Sequence, residues 1–284
     1  MAKNIIPNKI LWLASYPKSG NTWFRAFLTA LLNEGEVEIN DMDTDGILSA
    51  RGVFDAISDI DSRYLYDEEV KILLPEVYRA KAAALNQLSI VKVHDAFVYN
   101  EEGQSIMPED VTHAAIYIIR NPLDVVASFA NHNNSTIDEA IALMNNPQGK
   151  LAAQKGNHNI NNQFPQLMYD WSGHVQSWID GPAFPVYFVR YEDMLAAPLQ
   201  TFSEVIKKVG WQYSDDTIQA AIDATQFSKL KKQESEKGFQ EKNAASKQFF
   251  RQGKAGNWKN ELTETQANAI IKKHKGVMRE FGYL

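Results

Sequence analysis

The sequence contains no cysteine among its 284 residues. Disulfide bonds and thiolate metal sites are therefore excluded, and a reducing compartment is compatible with the composition. The chain also lacks any apolar stretch approaching the roughly 20 residues of a membrane helix, and its N-terminal segment MAKNIIPNKI lacks the apolar run of a signal peptide. We therefore expect a soluble, cytoplasmic protein that does not enter a membrane.

Basic residues are too few and too scattered to form an unstructured arm. Lysine and arginine number 29 against 35 acidic residues, which gives a net charge of −6. This balance disfavours binding to nucleic acid but permits a local pocket for an anion. No internal repeat or low-complexity linker divides the chain. We predict a single domain over residues 1–284, although the length alone also allows two small domains.

Apolar runs alternate with helical periodicity along the chain. This alternation predicts the α/β fold class, with a central, mostly parallel β-sheet flanked by helices, in which ligands bind beyond the carboxyl ends of the strands. The predicted strands are residues 10–14, 88–93, 114–119 and 186–189, and the predicted helices are residues 21–33, 122–131, 166–179, 198–209 and 263–280.

Two long stretches do not fit this alternation. Residues 34–76 have weak periodicity and contain thirteen acidic residues against three basic ones, and residues 131–165 are rich in Asn, Gln and Gly. Both are long for plain connections, which favours lids, binding loops or disordered segments.

The stretch LASYPKSGNTWFRAF, residues 13–27, predicts a strand, a tight loop and a helix in succession. Such a loop presents backbone N–H groups at a helix N-terminus, where the macrodipole also favours an anion. Gly20 permits close approach of the backbone, and Lys18 supplies a mobile cation. The alternative interpretation is a plain connecting loop with a surface lysine.

A second anion signal is the stretch IYIIRNPLDVVASF, residues 116–129. Arg120 closes an apolar strand, and Asn121 and Pro122 are typical of a helix N-cap and first turn. An arginine there can fork onto a phosphate that the hydroxyl of Ser128 also reaches. The alternative is that Arg120 pairs with Asp124 and braces the turn.

The third signal is FFRQGKAGNWKN, residues 249–260, which interleaves Arg251, Lys254 and Lys259 with glycines. Cations on a flexible loop can fold over a polyanion. Three separate anion-type stretches in an acidic protein favour a shared ligand over coincidence.

Together these stretches resemble the sulfotransferases that use 3′-phosphoadenosine 5′-phosphosulfate (PAPS). The family's YPKSG-T-T-W loop is matched by residues 16–23, with Asn21 where threonine is common, and R-N-P-x-D-x-x-x-S is matched by residues 120–128. The R-x-G-x-x-G-x-W-K motif is matched by residues 251–259. The resemblance implies one sulfotransferase domain, whose P-loop-like strand–loop–helix binds phosphosulfate.

The same resemblance implies the site residues. Lys18 would bind the 5′-phosphosulfate and stabilise the leaving group, while Arg120, Ser128 and Arg251 would anchor the 3′-phosphate. PAPS would be the co-substrate and 3′-phosphoadenosine 5′-phosphate (PAP) the product, without a metal. The other implied nucleotide contacts are Ser19, Gly20, Asn21, Thr22, Trp23, Tyr191, Thr225, Phe227, Phe250, Gln252 and Gly253.

The family's K-T-H sequence at a strand end is matched by Lys92 and His94 within IVKVHDAF. His94 would be the general base that takes the proton of an acceptor hydroxyl or amine, a role suited to an imidazole. Lys92 would steady the sulfuryl group or the histidine. The residues themselves also allow a hydrogen-bonded structural role for this histidine.

Two other functions stay open. A P-loop kinase or NTPase needs G-x-x-x-x-G-K-[ST], and here Lys18 precedes Gly20, so the spacing fails. A non-catalytic nucleotide-binding module is the second alternative. The acceptor is expected to be a small molecule of unspecified structure. The family's C-terminal dimerisation pattern is incomplete, so monomer and homodimer are both compatible with the sequence.

Overall fold

The computed structural model describes residues 6–42, 44–152, 162–242 and 248–284. The chain divides into two compact units. The first unit comprises Met1–Tyr16, Asp45–Tyr117 and Asn146–Tyr187, and the second comprises Pro17–Thr44, Ile118–Asn145 and Phe188–Leu284. Within the described ranges, every helix is too short or too polar to cross a lipid bilayer.

A four-stranded parallel sheet begins in the first unit and confirms the predicted α/β class. Its strands are β1 (Ile10–Ser15), β2 (Ser89–Val93), β3 (Thr112–Ile119) and β6 (Val186–Arg190), in the order β2-β1-β3-β6. The last residues of β3 and β6 are counted with the second unit. All of β1 is buried, as its uninterrupted apolar run predicts. Leu13 of β1 lies opposite Lys92 of β2, so both strands end at one edge of the sheet.

The described part of the first unit contains the helices α2 (Arg51–Ser58), α3 (Asp67–Ala83) and α6 (Trp171–Asp180), and a short antiparallel pair, β4 (Lys150–Leu151) and β5 (Gln166–Leu167), precedes α6. Helices α3 and α6 contact the sheet through aromatic side chains. Tyr78 of α3 meets Trp12 edge-on at 5.1 Å between ring centroids. Trp178 of α6 meets Tyr117 at 6.0 Å. These contacts fix α3 on β1 and α6 on β3.

The second unit is mainly helical within the described residues. Asn121 caps the helix that begins at Pro122 by accepting a hydrogen bond from the Leu123 amide at 3.0 Å, as the Asn-Pro pair predicts. Phe27 stacks on Phe202 at 4.0 Å and holds the helix Asn21–Leu32 against the helix Pro198–Lys208. The helices are α1 (Asn21–Leu32), α4 (Pro122–Asn133), α5 (Ile137–Met144), α7 (Tyr191–Ala196), α8 (Pro198–Lys208), α9 (Asp215–Ala224), α10 (Phe227–Lys237) and α11 (Glu264–Glu280).

The interpretation of residues 34–76 as a long irregular loop is wrong in its second half. This stretch contains α2, a 3₁₀ turn at Ser62–Tyr64 and the start of α3. The periodicity is weak there because α2 buries only Phe54 and the first turn of α3 is entirely acidic. The stretch 131–165 contains α5 and β4, and its residues 153–161 lie outside the described residues.

Helix α6 also begins later than predicted. Residues 166–167 form β5, and the side chain of Asp170 accepts from the Gly173 amide at 2.7 Å, which caps the helix five residues beyond the predicted start. The hydrophobic spacing predicts too early a start because Met168 is buried without being helical.

Candidate functional site

The opening loop, Pro17–Gly20, leads into α1 in a strained conformation. Lys18 has φ 68°, and Gly20 has φ 107°. A Cβ atom on Gly20 would lie 2.6 Å from Cδ2 of Tyr191, so only glycine fits without displacing that ring. Ser19 is fully buried, and its hydroxyl has no hydrogen-bond partner among the described residues. An orphaned hydroxyl beside a helix N-terminus is the arrangement that an anion would satisfy.

Arg120 joins stretches that lie more than 100 residues apart in the sequence. Its Nη1 donates to the carbonyl of Lys18 at 3.1 Å, and its Nη2 donates to the carbonyl of Lys254 at 3.1 Å. The guanidinium also lies 4.3 Å from the ring centroid of Tyr191. Its Nε–H is buried without a partner among the described residues. One side chain of the second unit therefore brings all three predicted anion stretches together.

Asp124 contacts the glycine loop, residues 249–260, and not Arg120. Its carboxylate accepts from the amides of Gly256 at 2.7 Å and Trp258 at 3.0 Å. The alternative interpretation, in which Asp124 pairs with Arg120, is replaced by this link between α4 and the loop.

Glu261 is a site residue that sequence reasoning missed. Its carboxylate accepts from Arg251 Nη2 at 2.8 Å, from Gln252 Nε2 at 3.1 Å and from the Asn257 side chain. Two of the predicted nucleotide contacts thus converge on an acid within the chain. The position belongs to no motif, so no sequence pattern marks it as a site residue.

Several aromatic side chains form one hydrophobic cluster at the glycine loop. Phe250 belongs to the buried cluster, and Trp23 and Phe227 pack against it from a half-buried position. A Cβ on Gly253 would lie 2.3 Å from the Phe227 ring, so glycine there lets the loop approach that ring closely. Two half-buried aromatic rings on a common cluster suit contact with a planar base.

Phe249 and Glu234 are further residues that the sequence analysis did not single out. The Lys18 ammonium lies 4.0 Å from the centroid of the Phe249 ring. The amides of Phe249 and Phe250 donate to the two carboxylate oxygens of Glu234 at 2.6 and 2.9 Å. Glu234 therefore pins the start of the glycine loop to α10.

The remaining predicted nucleotide contacts occupy varied positions in the second unit. Asn21 and Thr22 are buried in the first turn of α1, and Ser128 is half-buried on α4. Tyr191 is buried, which raises its pKa. Thr225 is the C-cap of α9, and its hydroxyl donates to the carbonyls of Ala221 and Ile222 in that helix.

In the first unit, His94 follows β2 and is held by the end of β1. Its Nδ1 lies 2.9 Å from the carbonyl oxygen of Ser15 and 3.3 Å from the Ser15 hydroxyl. A carbonyl only accepts, so Nδ1 carries the hydrogen and the ring's lone pair lies on Nε2. This tautomer suits a general base that accepts a proton at Nε2.

A buried histidine supports the backbone of His94. His174 Nε2 lies 3.0 Å from the His94 carbonyl, and His174 Nδ1 lies 2.7 Å from the Tyr117 hydroxyl. Since the carbonyl fixes the hydrogen on Nε2, the Tyr117 hydroxyl donates to Nδ1. Burial lowers the pKa of His174 to about 4, so this histidine is neutral near pH 7.

Asp95 and Lys92 flank His94 in the sequence and differ in exposure. Lys92 is half-buried within β2, whereas Asp95 is buried and its Oδ2 has no partner among the described residues. Burial raises the pKa of Asp95 to about 7. Its carbonyl accepts from Trp178 Nε1 at 3.1 Å, which ties α6 to the segment after β2.

Comparison with known proteins identifies the family. The sequence matches the profile of the sulfotransferase domain over residues 8–282. It is 23% identical to cytosolic sulfotransferase 17 of Arabidopsis thaliana over 95% of this chain and 73% of that protein. It is also 23% identical to sulfotransferase 1B1 of Canis lupus familiaris over 92% of this chain and 80% of that protein.

Solved structures have the same fold at low sequence identity. Mouse sulfotransferase SULT7A1, in a complex with PAP, superposes with a TM-score of 0.57 at 18% identity, over 97% of this chain and 86% of that one. Retinol dehydratase, in a complex with retinol and PAP, gives 0.61 at 18% identity, over 96% and 82%. The chain belongs to the sulfotransferase family, and the predicted enzyme class, a PAPS-dependent sulfotransferase, is confirmed.

Proposed function

We propose that this enzyme transfers a sulfuryl group from PAPS to a hydroxyl or amine of a small-molecule acceptor, with His94 as the general base. The observation that carries the donor assignment is the position of Arg120. It contacts both the opening loop and the glycine loop. A ligand with anionic groups at both ends of its ribose suits two loops joined in this way.

The donors of the second unit fit such a nucleotide. Lys18, the Ser19 hydroxyl and the first amides of α1 would hold the 5′-phosphosulfate. The unpartnered Nε–H of Arg120, with Ser128 and Arg251, would hold the 3′-phosphate. Trp23 and Phe227, with Phe250 behind them, would pack against the adenine. The remaining predicted contacts, Asn21, Thr22, Tyr191, Thr225, Gln252 and Gly253, stay proposals of the same kind.

PAPS supplies the activated sulfuryl group, and the protein's own residues handle charge and protons. His94 accepts the acceptor's proton at Nε2 while Ser15 holds Nδ1–H, so the imidazolium formed keeps its hydrogen bond. The Lys18 ammonium neutralises charge that moves to the leaving group. Lys92 contributes a second cation. Binding of the 3′-phosphate by Arg120 and Arg251 contributes free energy remote from the reaction.

The acceptor is proposed as a small molecule. Complexes of retinol dehydratase with retinol and with androsterone support this size class.

The cytosolic names of several curated relatives support a cytoplasmic location. One domain over the whole chain is proposed on the span of the matching profile.

A transfer assay with labelled donors tests the function. The purified protein is incubated with [³⁵S]PAPS or [γ-³²P]ATP and a panel of phenols, alcohols and amines, with and without Mg²⁺. Sulfuryl transfer that persists in the presence of a metal chelator supports the proposal. Mg²⁺-dependent phosphate release supports a kinase or NTPase instead. PAPS binding without transfer to any acceptor supports a binding module.

Lys18→Ala tests the donor site in the same assay. We expect weaker PAP binding and transfer reduced by about two to three orders of magnitude, because the variant lacks the cation at the leaving group. Normal values for both would remove Lys18 from the site.

A further inference from the structure

We infer that Glu261 competes with the nucleotide's 3′-phosphate for Arg251 and so weakens the enzyme's preference for 3′-phosphorylated donors. This inference rests on the proposed function. Three donors, on Arg251, Gln252 and Asn257, converge on its carboxylate. A set of donors gathered on a single anion is also the arrangement that binds a phosphate.

The contact with Glu261 is not needed to shape the glycine loop. Glu234 holds the amides of Phe249 and Phe250 at the start of the loop. Asp124 holds the amides of Gly256 and Trp258 further along. With the loop fixed on both sides of Arg251, the main effect of Glu261 is on the charge that Arg251 presents.

The Glu261 carboxylate and a 3′-phosphate cannot both pair fully with the Arg251 guanidinium. A 3′-phosphate that approaches this guanidinium meets the negative charge of Glu261, and the Arg251–Glu261 pair, at 2.8 Å, must weaken or part. Because both side chains are partly exposed, the pair is weak enough for a phosphate to displace. Glu261 therefore lowers the affinity for nucleotides that carry a 3′-phosphate and leaves affinity for the others unchanged.

Nucleotide binding to the variant Glu261→Gln tests this inference. Gln keeps the size and an acceptor oxygen but removes the charge. Titration calorimetry is run with PAP, which has the 3′-phosphate, and with 5′-AMP, which lacks it. We expect Glu261→Gln to bind PAP about three- to tenfold more tightly than the parent protein, with 5′-AMP affinity unchanged.

Glu264→Gln is the matched control. Glu264 is exposed in the first turn of α11, so this variant removes the same charge three residues away. We expect it to bind both nucleotides like the parent. In the Arg251→Ala background, Glu261→Gln should no longer change PAP affinity, because the competition acts through Arg251. Thermal unfolding confirms that each variant is folded.

The outcomes separate this inference from the proposed function. Weaker or unchanged PAP binding in Glu261→Gln overturns the competition, and so does an equal gain for PAP and 5′-AMP. These results leave the donor assignment standing if the parent prefers PAP to 5′-AMP and Arg251→Ala loses that preference. A parent protein without a preference for PAP overturns both.

Discussion

His174 donates a hydrogen bond from Nε2 to the backbone carbonyl of His94, at 3.0 Å, while Tyr117 donates to its other nitrogen at 2.7 Å. The proposed base is thus positioned by a buried, neutral histidine of α6. His174 does not itself need to contact an acceptor to affect the reaction, because it fixes the backbone from which the His94 ring projects.

Substitution of His174 should impair transfer without weakening nucleotide binding. In His174→Phe, the His94 carbonyl and the Tyr117 hydroxyl both lose their hydrogen bond to His174, at a stability cost of about 1–3 kcal/mol. We expect kcat to fall by about tenfold or more, because the base is misaligned, and PAP affinity to stay within about twofold. His174→Gln keeps a donor for the carbonyl and should recover part of kcat. A folded His174→Phe variant with normal kcat would contradict the positioning role.

His94→Ala should separate chemistry from donor binding more completely. We expect transfer to fall by roughly two to four orders of magnitude, because the acceptor loses its general base, while PAP affinity is retained. His113→Ala is the matched control, since His113 lies near the amino end of β3, at the opposite end of the strand from the proposed chemistry. The transfer rate is measured from initial rates and the PAP affinity by calorimetry. Unchanged turnover in His94→Ala would rule out this base.

Gly20→Ala should destabilise the protein through a clash with Tyr191. The added methyl would lie 2.6 Å from the ring at a φ of 107°, so the ring or the loop has to move. Gly35→Ala is the control, because Gly35 has a similar φ of 95° and no atom within 4 Å of the new Cβ. We expect Gly20→Ala to lose about 1–3 kcal/mol more than Gly35→Ala, measured by denaturant unfolding. Equal losses would mean that backbone conformation alone sets the cost.

Asp95 should give the protein a pH-dependent stability that Asp95→Asn removes. Its pKa is raised from 3.8 to about 7, so the folded state binds the proton more tightly than the unfolded chain. Its contribution to the free energy of unfolding is therefore full below pH 3.8 and is lost as the pH rises through about 7, by up to about 1.4 kcal/mol per pH unit. His174 acts in the opposite direction, since its lowered pKa costs stability as the pH falls from 6.5 towards 4.

The comparison of parent and variant isolates the Asp95 effect. We expect Asp95→Asn to gain stability relative to the parent as the pH rises from 4 to 8, in urea titrations at each pH. Asp59→Asn, at an exposed position, should show no such trend. A constant difference between parent and Asp95→Asn would show that Asp95 is ionised in the folded protein.

The sequence predicts the fold where apolar runs are long and buried. Strands β1 to β3 and β6 and helices α1, α4, α8 and α11 lie close to their predicted bounds, since uninterrupted or strictly periodic apolar residues mark them. Helices α9 and α10 were not predicted. Helix α10 buries only Leu230 among its eleven residues, so it has almost no periodic signal.

The residues of the candidate site also fall into two groups, those that the sequence reveals and those that it does not. Residues in linear motifs, such as Lys18 and Arg120, are visible in the sequence because the motif fixes their spacing. Partners that lie outside these motifs are not visible in this way, and His174, Glu234 and Glu261 belong to this group. Their roles depend on which segments fold together, and a single sequence does not encode that as a local pattern.

The left-handed backbone of Lys18 has a consequence for how this loop can vary. A glycine would adopt that conformation without strain, so replacing the lysine would ease the main chain at the same time as it removes the ammonium. The proposed requirement for a cation and the preference of the main chain therefore oppose each other at one position. A version of this protein selected only for thermal stability would drift towards glycine there and lose the ammonium that we propose for the transfer.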